Sequence, residues 1–222
     1  KPDAALRGTL FHAALGDFFL QNPKDLPGNA LATLIALGRK HFEPYDDTPE
    51  VAGFWWSRFR RIASWIVENE PMLRGGAARI MAEVEGVLDL PVGSSTFQLS
   101  ARADRIDING DGTAHIIDFK SGSPPSSKAV KDGFSPQLTR EAAMLEKGAF
   151  KGTGSHETRL LTYVRISGGV PAGEIKHVDV DAMAEARSHL ASLAALLLTY
   201  QHAAHHYVPS SCMQREDDVS GF

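Results

Sequence analysis

Leu10, Phe11, Ala14, Leu15, Phe18 and Phe19 recur at intervals of three and four, which predicts an amphipathic helix over residues 5–20. Gly8, His12 and Gly16 fall at a spacing of four on a separate stripe. Glycine inside a helix costs about 1 kcal/mol relative to alanine, so two glycines flanking a histidine predict close approach by another chain or a ligand. Residues 24–75 keep a helical period, in Ala30 to Phe42 and again in Pro49 to Glu70, until Gly75-Gly76 interrupts it. The three tryptophans Trp55, Trp56 and Trp65 in the second stretch are candidates for base stacking, although an aromatic stripe at helical spacing more simply reads as core.

The period then changes to two. Arg79 to Leu90 and Thr96 to Ile108 read as strands joined at Gly93-Ser94-Ser95. Asn109-Gly110-Asp111-Gly112 is a strong hairpin signal leading into Ile116 to Lys120. With the turn centred near Asp111, residues whose numbers sum to 222 oppose each other, and Asp104 falls opposite Asp118. Opposed residues have Cβ atoms roughly 5 Å apart. Two such carboxylates repel, and burial would raise one pKa unless a cation lay between them. Alternation also puts Asp118 and Lys120 on one face. Ile116, Ile117 and Phe119 make this strand buried on both sides at one end, with its charges at the other.

Ser121 to Phe134 reads as a loop, Ser135-Pro136 as a helix start with Ser as cap, and Gln137 as a first-turn residue. Arg159 to Ile166 and Glu174 to Val180 are further strands, and a helix runs from Asp181 to about His205. His202, His205 and His206 near its end lack a metal-ligand pattern and read as surface residues.

Composition suits one soluble domain over residues 1–222, with residues 24–75 as a helical insertion: the chain is 43% hydrophobic and no apolar run approaches a membrane span. It begins at Lys1, which reads as a domain excised from a longer protein. The single cysteine, Cys212, rules out an internal disulfide and points to a reducing, cytoplasmic setting. A formal net charge of −4 is unusual for an autonomous DNA binder. The clusters Arg58, Arg60, Arg61 and Arg74, Arg79 read more simply as solvated helix faces.

The ordered set Gly8-Thr9-Leu10-Phe11-His12, Glu83 or Glu85, Ala101-Arg102-Ala103-Asp104-Arg105-Ile106-Asp107, Asp118-Phe119-Lys120-Ser121-Gly122 and Gln137 resembles the PD-(D/E)XK nuclease superfamily. The match is closest to the RecB-like branch and the nuclease domain of AddB-type helicase-nuclease subunits. That resemblance implies an α/β restriction-endonuclease-like core, a mixed central sheet flanked by helices. It implies Mg²⁺, with Mn²⁺ also accepted, held by His12, Asp104, Asp118 and the Phe119 backbone carbonyl. Asp104, Asp118, Lys120, Glu83 and Gln137 form the implied catalytic set, in which Lys120 orients or deprotonates the attacking water and Glu83 is preferred to Glu85. Arg102, Arg105, Lys128 and Lys131 are candidate DNA contacts, with pairing to Asp107 the alternative for Arg105. No iron–sulfur cluster can form within a chain holding one cysteine. The implied function is a metal-dependent DNA exonuclease in double-strand break repair, working with an AddA-like partner subunit. The alternatives are a catalytically silent DNA-binding or scaffolding module and a stand-alone exonuclease of the same superfamily.

Overall fold

A computed structural model describes residues 3–201, so Cys212 and the histidines at 202, 205 and 206 lie outside the described residues. The first predicted helix is α1 (Ala4–Gln21), started by Asp3, whose side chain accepts the Leu6 N–H. Helix α2 (Ala30–Phe42) follows. A π-helical turn (Glu50–Trp55) then runs into α3 (Trp56–Arg74). Gly75 ends α3 at φ +46°, a backbone conformation that a side chain would resist.

Strands β1 (Ala77–Val92), β2 (Ser95–Asn109) and β3 (Ala114–Lys120) form an antiparallel meander. Strand β4 (Thr158–Ile166) runs parallel to β3, and β5 (Gly173–His177) closes the order β1-β2-β3-β4-β5. The parallel β3/β4 pair requires a crossover. It is supplied by α4 (Ser127–Lys131), a short helix inside the predicted loop, and α5 (Gln137–Glu146). Helix α6 (Ala182–Gln201) follows β5. Helix α5 begins at Gln137 without a side-chain cap. Ser135, expected to cap it, instead gives its N–H to the Ala129 carbonyl within α4.

The sheet separates two cores. On one face Phe11, Phe18 and Phe19 of α1 meet Phe42, Phe59 and Ile62, together with Ile117, Phe119, Val164 and Ile166 of the sheet. Trp55 is buried there and Trp56 stacks on Phe59, so these two tryptophans belong to the core rather than to a base-stacking surface. On the other face Ile116, Leu161 and Tyr163 meet Leu138, Ala142 and Met144 of α5 and Met183 and Ala186 of α6. Among the described residues no helix is long and apolar enough to cross a membrane.

The expected hairpin register is present: Arg105, Ile106, Asp107 and Ile108 pair with Ile117, Ile116, His115 and Ala114, each pair summing to 222. One rung of β1/β2 breaks the alternation. Ile80 and Ala82 face the α1 core, yet Val84 faces the α5 core; likewise Ala103 and Ile106 face α5 while Arg105 lies over Phe19. The switch falls at Glu83, whose φ is +52°, and at Asp104 across from it.

Candidate active site

The break at Glu83 and Asp104 turns both carboxylates toward α1. Asp104 Oδ2 accepts the Phe119 backbone N–H at 2.9 Å and lies 3.4 Å from His12 Nδ1. The helix can approach this closely because its stripe of small residues faces the sheet. A Cβ on Gly8 would stand 3.2 Å from Ser121 Oγ, and one on Gly16 would stand 2.7 Å from Glu83 Cγ. Glu83 Oε2 pairs with Arg102 Nη2 at 2.7 Å, and Arg102 remains largely exposed. Glu85 is on the surface, bound to Lys151. His12, Glu83, Arg102 and Ser121 line an open cleft of about 430 Å³.

From the other face, Asp118 and Lys120 meet helix α5. Lys120 Nζ is 3.1 Å from Asp118 Oδ1 and 2.9 Å from Oδ2, with hydrogen-bonding geometry only at Oδ1. Gln137 joins both, its Oε1 accepting from Lys120 at 2.8 Å and its Nε2 donating to Asp118 Oδ1 at 2.5 Å. The second N–H of that amide points to Glu141 Oε1 at 3.3 Å. Glu141 is 1% exposed, and Asp118 Oδ2, Glu141 Oε2 and the Tyr163 hydroxyl are buried without a hydrogen-bond partner. Buried oxygens without donors are costly.

Charge crowding shows in the titration of the group. Burial, reinforced by Asp104, pushes Asp118 up to about 6 against the pull of Lys120. Burial next to Asp118 pushes Glu141 up to about 8. Glu83 is also raised, chiefly by burial and against Arg102. Burial opposes a charged His12, but Asp104, Asp118 and Glu83 hold its pKa above the usual value. Glu141 and Tyr163 escaped the sequence reading. A charged residue four positions after Gln137 and followed by Ala142, Ala143 and Met144 was the available signal for Glu141; Tyr163 carried none.

The other expected DNA contacts divide. Arg105 is corrected: it is fully buried, with Nε and Nη2 on Asp107 at 2.7 and 2.6 Å and Nη1 on Glu70 at 2.8 Å. A guanidinium closed by two carboxylates and covered by Phe19 has no face left for a phosphate. Lys128 pairs with Asp132 in its own turn, and no ion pair or hydrogen bond joins Lys128 or Lys131 to the carboxylate group.

Among the described residues, no three His, Cys, Asp or Glu side chains converge at metal-binding distance as they stand. The donor chemistry nevertheless fits a hard divalent cation: two carboxylates with a shared excess of negative charge, an imidazole at their edge, and a buried Asp118 oxygen without a donor.

The chain is 24% identical over 159 residues to an uncharacterised protein of Rickettsia bellii, covering 66% of this chain and 19% of that protein. It is 32% identical over 95 residues to one of Rickettsia typhi, covering 42% and 11%, and 34% identical over 77 residues to one of Rickettsia felis, covering 35% and 9%. This chain therefore spans a fifth or less of the length of these relatives. The crystal structure of SSO0001 aligns with 86% of this chain and 74% of its own, at 16% identity and a TM-score of 0.34. The profile of the PD-(D/E)XK nuclease superfamily matches residues 1–214, and the chain belongs to that superfamily.

Proposed function

We propose that this chain is a metal-dependent deoxyribonuclease domain that hydrolyses phosphodiester bonds, using Mg²⁺ and accepting Mn²⁺. The observation that carries this reading is the Asp118–Lys120–Gln137 triangle at the end of β3, beside Asp104 and His12. A silent scaffold would not need to hold a lysine and crowded carboxylates at the cost their burial implies.

Asp104, Asp118, the Phe119 carbonyl and His12 are the residues that would hold the cation. Bound there, it would supply Lewis-acid stabilisation of charge on the phosphoryl oxygens. Lys120 either orients the attacking water as an ammonium, its Nζ fixed by Asp118 and Gln137 with the third N–H left for the nucleophile, or as the neutral amine takes up that water's proton. Gln137 keeps that geometry, because its amide spans Lys120, Asp118 and Glu141. Glu83 sets Arg102 at the cleft, where its exposed guanidinium can meet a phosphate.

The wider setting follows from the resemblance. We place the domain in a cytoplasmic AddB-type helicase-nuclease acting as an exonuclease in double-strand break repair with an AddA-like subunit. The mild negative charge supports this, since other parts of such an assembly would bring the DNA.

The test is degradation of end-labelled single- and double-stranded DNA with Mg²⁺, Mn²⁺ or EDTA, comparing wild type with Lys120→Ala and Asp118→Ala. Metal-dependent cleavage abolished by both substitutions is expected. Cleavage that survives both, or a folded wild type that neither cleaves DNA nor binds metal, would sink the catalytic reading.

A further inference from the structure

The arginine cluster of α3 and the end of β4 take no part in the site above. Arg165 is the register partner of Lys120 in the parallel β3/β4 pair, so both side chains leave the same face of the sheet one strand apart. Its Nε is buried without a partner, and Glu174 is loosely placed at 3.8 Å. Three residues on, no more than about 11 Å of chain, Gly168 packs against Arg58, leaving only 2.6 Å between a Cβ there and Arg58 Cβ. The Gly168 carbonyl accepts Arg61 Nε at 2.7 Å. The Arg58 guanidinium stacks on Phe54, 4.3 Å from the ring centroid, and its Nε also lacks a hydrogen-bond partner. The π-helical turn directs Val51 and Trp55 inward and leaves Phe54 51% exposed. Arg60 and Arg61 border a neighbouring cleft of about 660 Å³, in which Glu68 is the acidic wall.

We propose that Phe54, Arg58, Arg61 and Arg165 form a track that leads a single DNA strand over the end of β4 to Lys120. The destination of the strand rests on the nuclease reading. The arginines supply phosphate contacts along one line out of the site. Phe54, exposed and backed by a guanidinium, supplies a face for an unpaired base. A duplex has no free base face to offer there, so the aromatic residue selects a single strand.

The test is fluorescence anisotropy of labelled oligo(dT) with the full chain in EDTA, across a salt series. Replacing Arg58, Arg61 and Arg165 together by Gln is expected to weaken binding about tenfold or more and to reduce the log–log salt slope by about 2, at roughly 0.7 per lost contact. Each single variant, checked for an unchanged melting curve, is expected to remove about 0.7 of slope. Phe54→Ala is expected to weaken oligo(dT) binding about fivefold or more while leaving duplex binding unchanged. Arg159→Gln, at the opposite end of β4, is the control without effect. A wild type that does not bind oligo(dT), or binds with a slope that the arginine variants leave untouched, overturns the track. Equal loss on duplex and single strand from Phe54→Ala overturns the single-strand assignment. Metal-dependent cleavage by that same wild type would leave the nuclease reading standing when the track fails. Track binding without cleavage would do the reverse.

Discussion

The backbone N–H of Phe119 donates to Asp104 Oδ2 at 2.9 Å, one rung beyond Arg105 and Ile117, where the β2/β3 ladder stops. A side chain has replaced the strand's own acceptor. This fixes Asp104 on the α1 side of the sheet, while Asp118, next to Phe119 in β3, projects to the α5 side. The two carboxylates thus reach the site from opposite faces of the strand end. Their mutual repulsion raises Asp118 further, on top of its burial.

Asp118→Asn therefore trades function for stability. At pH 8 in EDTA the wild-type carboxylate is ionised, buried, and crowded by Asp104 and Glu141. The neutral amide removes that charge and keeps the shape. We expect a gain of about 1 kcal/mol, or roughly 2–4 °C in melting temperature for a chain of this size. Cleavage should fall by at least about a hundredfold, a loss of several kcal/mol at the transition state. Thermal melting in EDTA checks the first part; a lower melting temperature would mean that the Lys120 ion pair outweighs the repulsion.

Most of the site was legible because it depends on local chemistry. The Asn109–Gly112 turn sets the register as far as Arg105 and Ile117; Asp104 and Asp118, expected to oppose each other directly, lie just beyond the ladder and on opposite faces. The stripe of Gly8, His12 and Gly16 announced a close approach, which proves to be that of Ser121 and Glu83. The pairing of Arg105 with Asp107 was legible as one of two alternatives; its second partner, Glu70, was not, because it is 35 residues away on α3 and no local pattern records that contact. The face switch at Glu83 and Asp104 was equally hidden. Strict alternation leaves Glu83 and Glu85 as equal candidates; the structure puts Glu83 in the cleft with Arg102 and leaves Glu85 on the surface with Lys151.

That positive φ makes Glu83 a strained residue held by its surroundings. Glu83→Gly removes both the strain and the buried carboxylate, whose pKa burial raises. The variant loses its ion pair with Arg102, which is mostly exposed and contributes little. We expect stability to rise by about 1 kcal/mol while cleavage declines. Glu83→Gln, which removes the charge but keeps the strain, should lose activity and gain less stability than the glycine. A denaturant titration of both variants separates the two effects. If glycine proves no more stable than glutamine, the backbone at Glu83 is not strained.

Arg105 acts in the core, and its replacement should be read there. Arg105→Met leaves Asp107 buried without its ion-pair partner and Glu70 with only Arg74 at 2.8 Å. Breaking a buried pair from one side costs about 3–5 kcal/mol. We expect a fall in melting temperature of roughly 10 °C, with DNA affinity of the folded fraction in EDTA unchanged. Weaker DNA binding at unchanged stability would restore Arg105 to the DNA interface.

His115 should set an acid limit to stability. Its Nε2 lies 2.7 Å from Thr162 Oγ1, which lies 2.9 Å from His177 Nδ1, and the residue is 9% exposed. Burial, then the charge of Arg105 and the neighbouring His177, depress its pKa from 6.5 to about 3. Asp107 faces it across β2, and Arg74 and Arg159 border the adjacent cleft. Between those two pH values the unfolded chain binds a proton that the folded chain refuses. The stability contributed by neutral His115 is therefore complete above pH 6.5 and is lost on acidification, at about 1.4 kcal/mol per pH unit. The raised carboxylates Glu70, Asp107, Asp118 and Glu141 work in the opposite sense, but they are common to wild type and variant. His115→Gln keeps a partner for Thr162 and cannot titrate. Unfolding free energies measured at pH 7 and pH 4.5 should fall about 2–3 kcal/mol less in the variant than in the wild type. Parallel profiles for the two proteins would show that His115 takes up its proton without resistance.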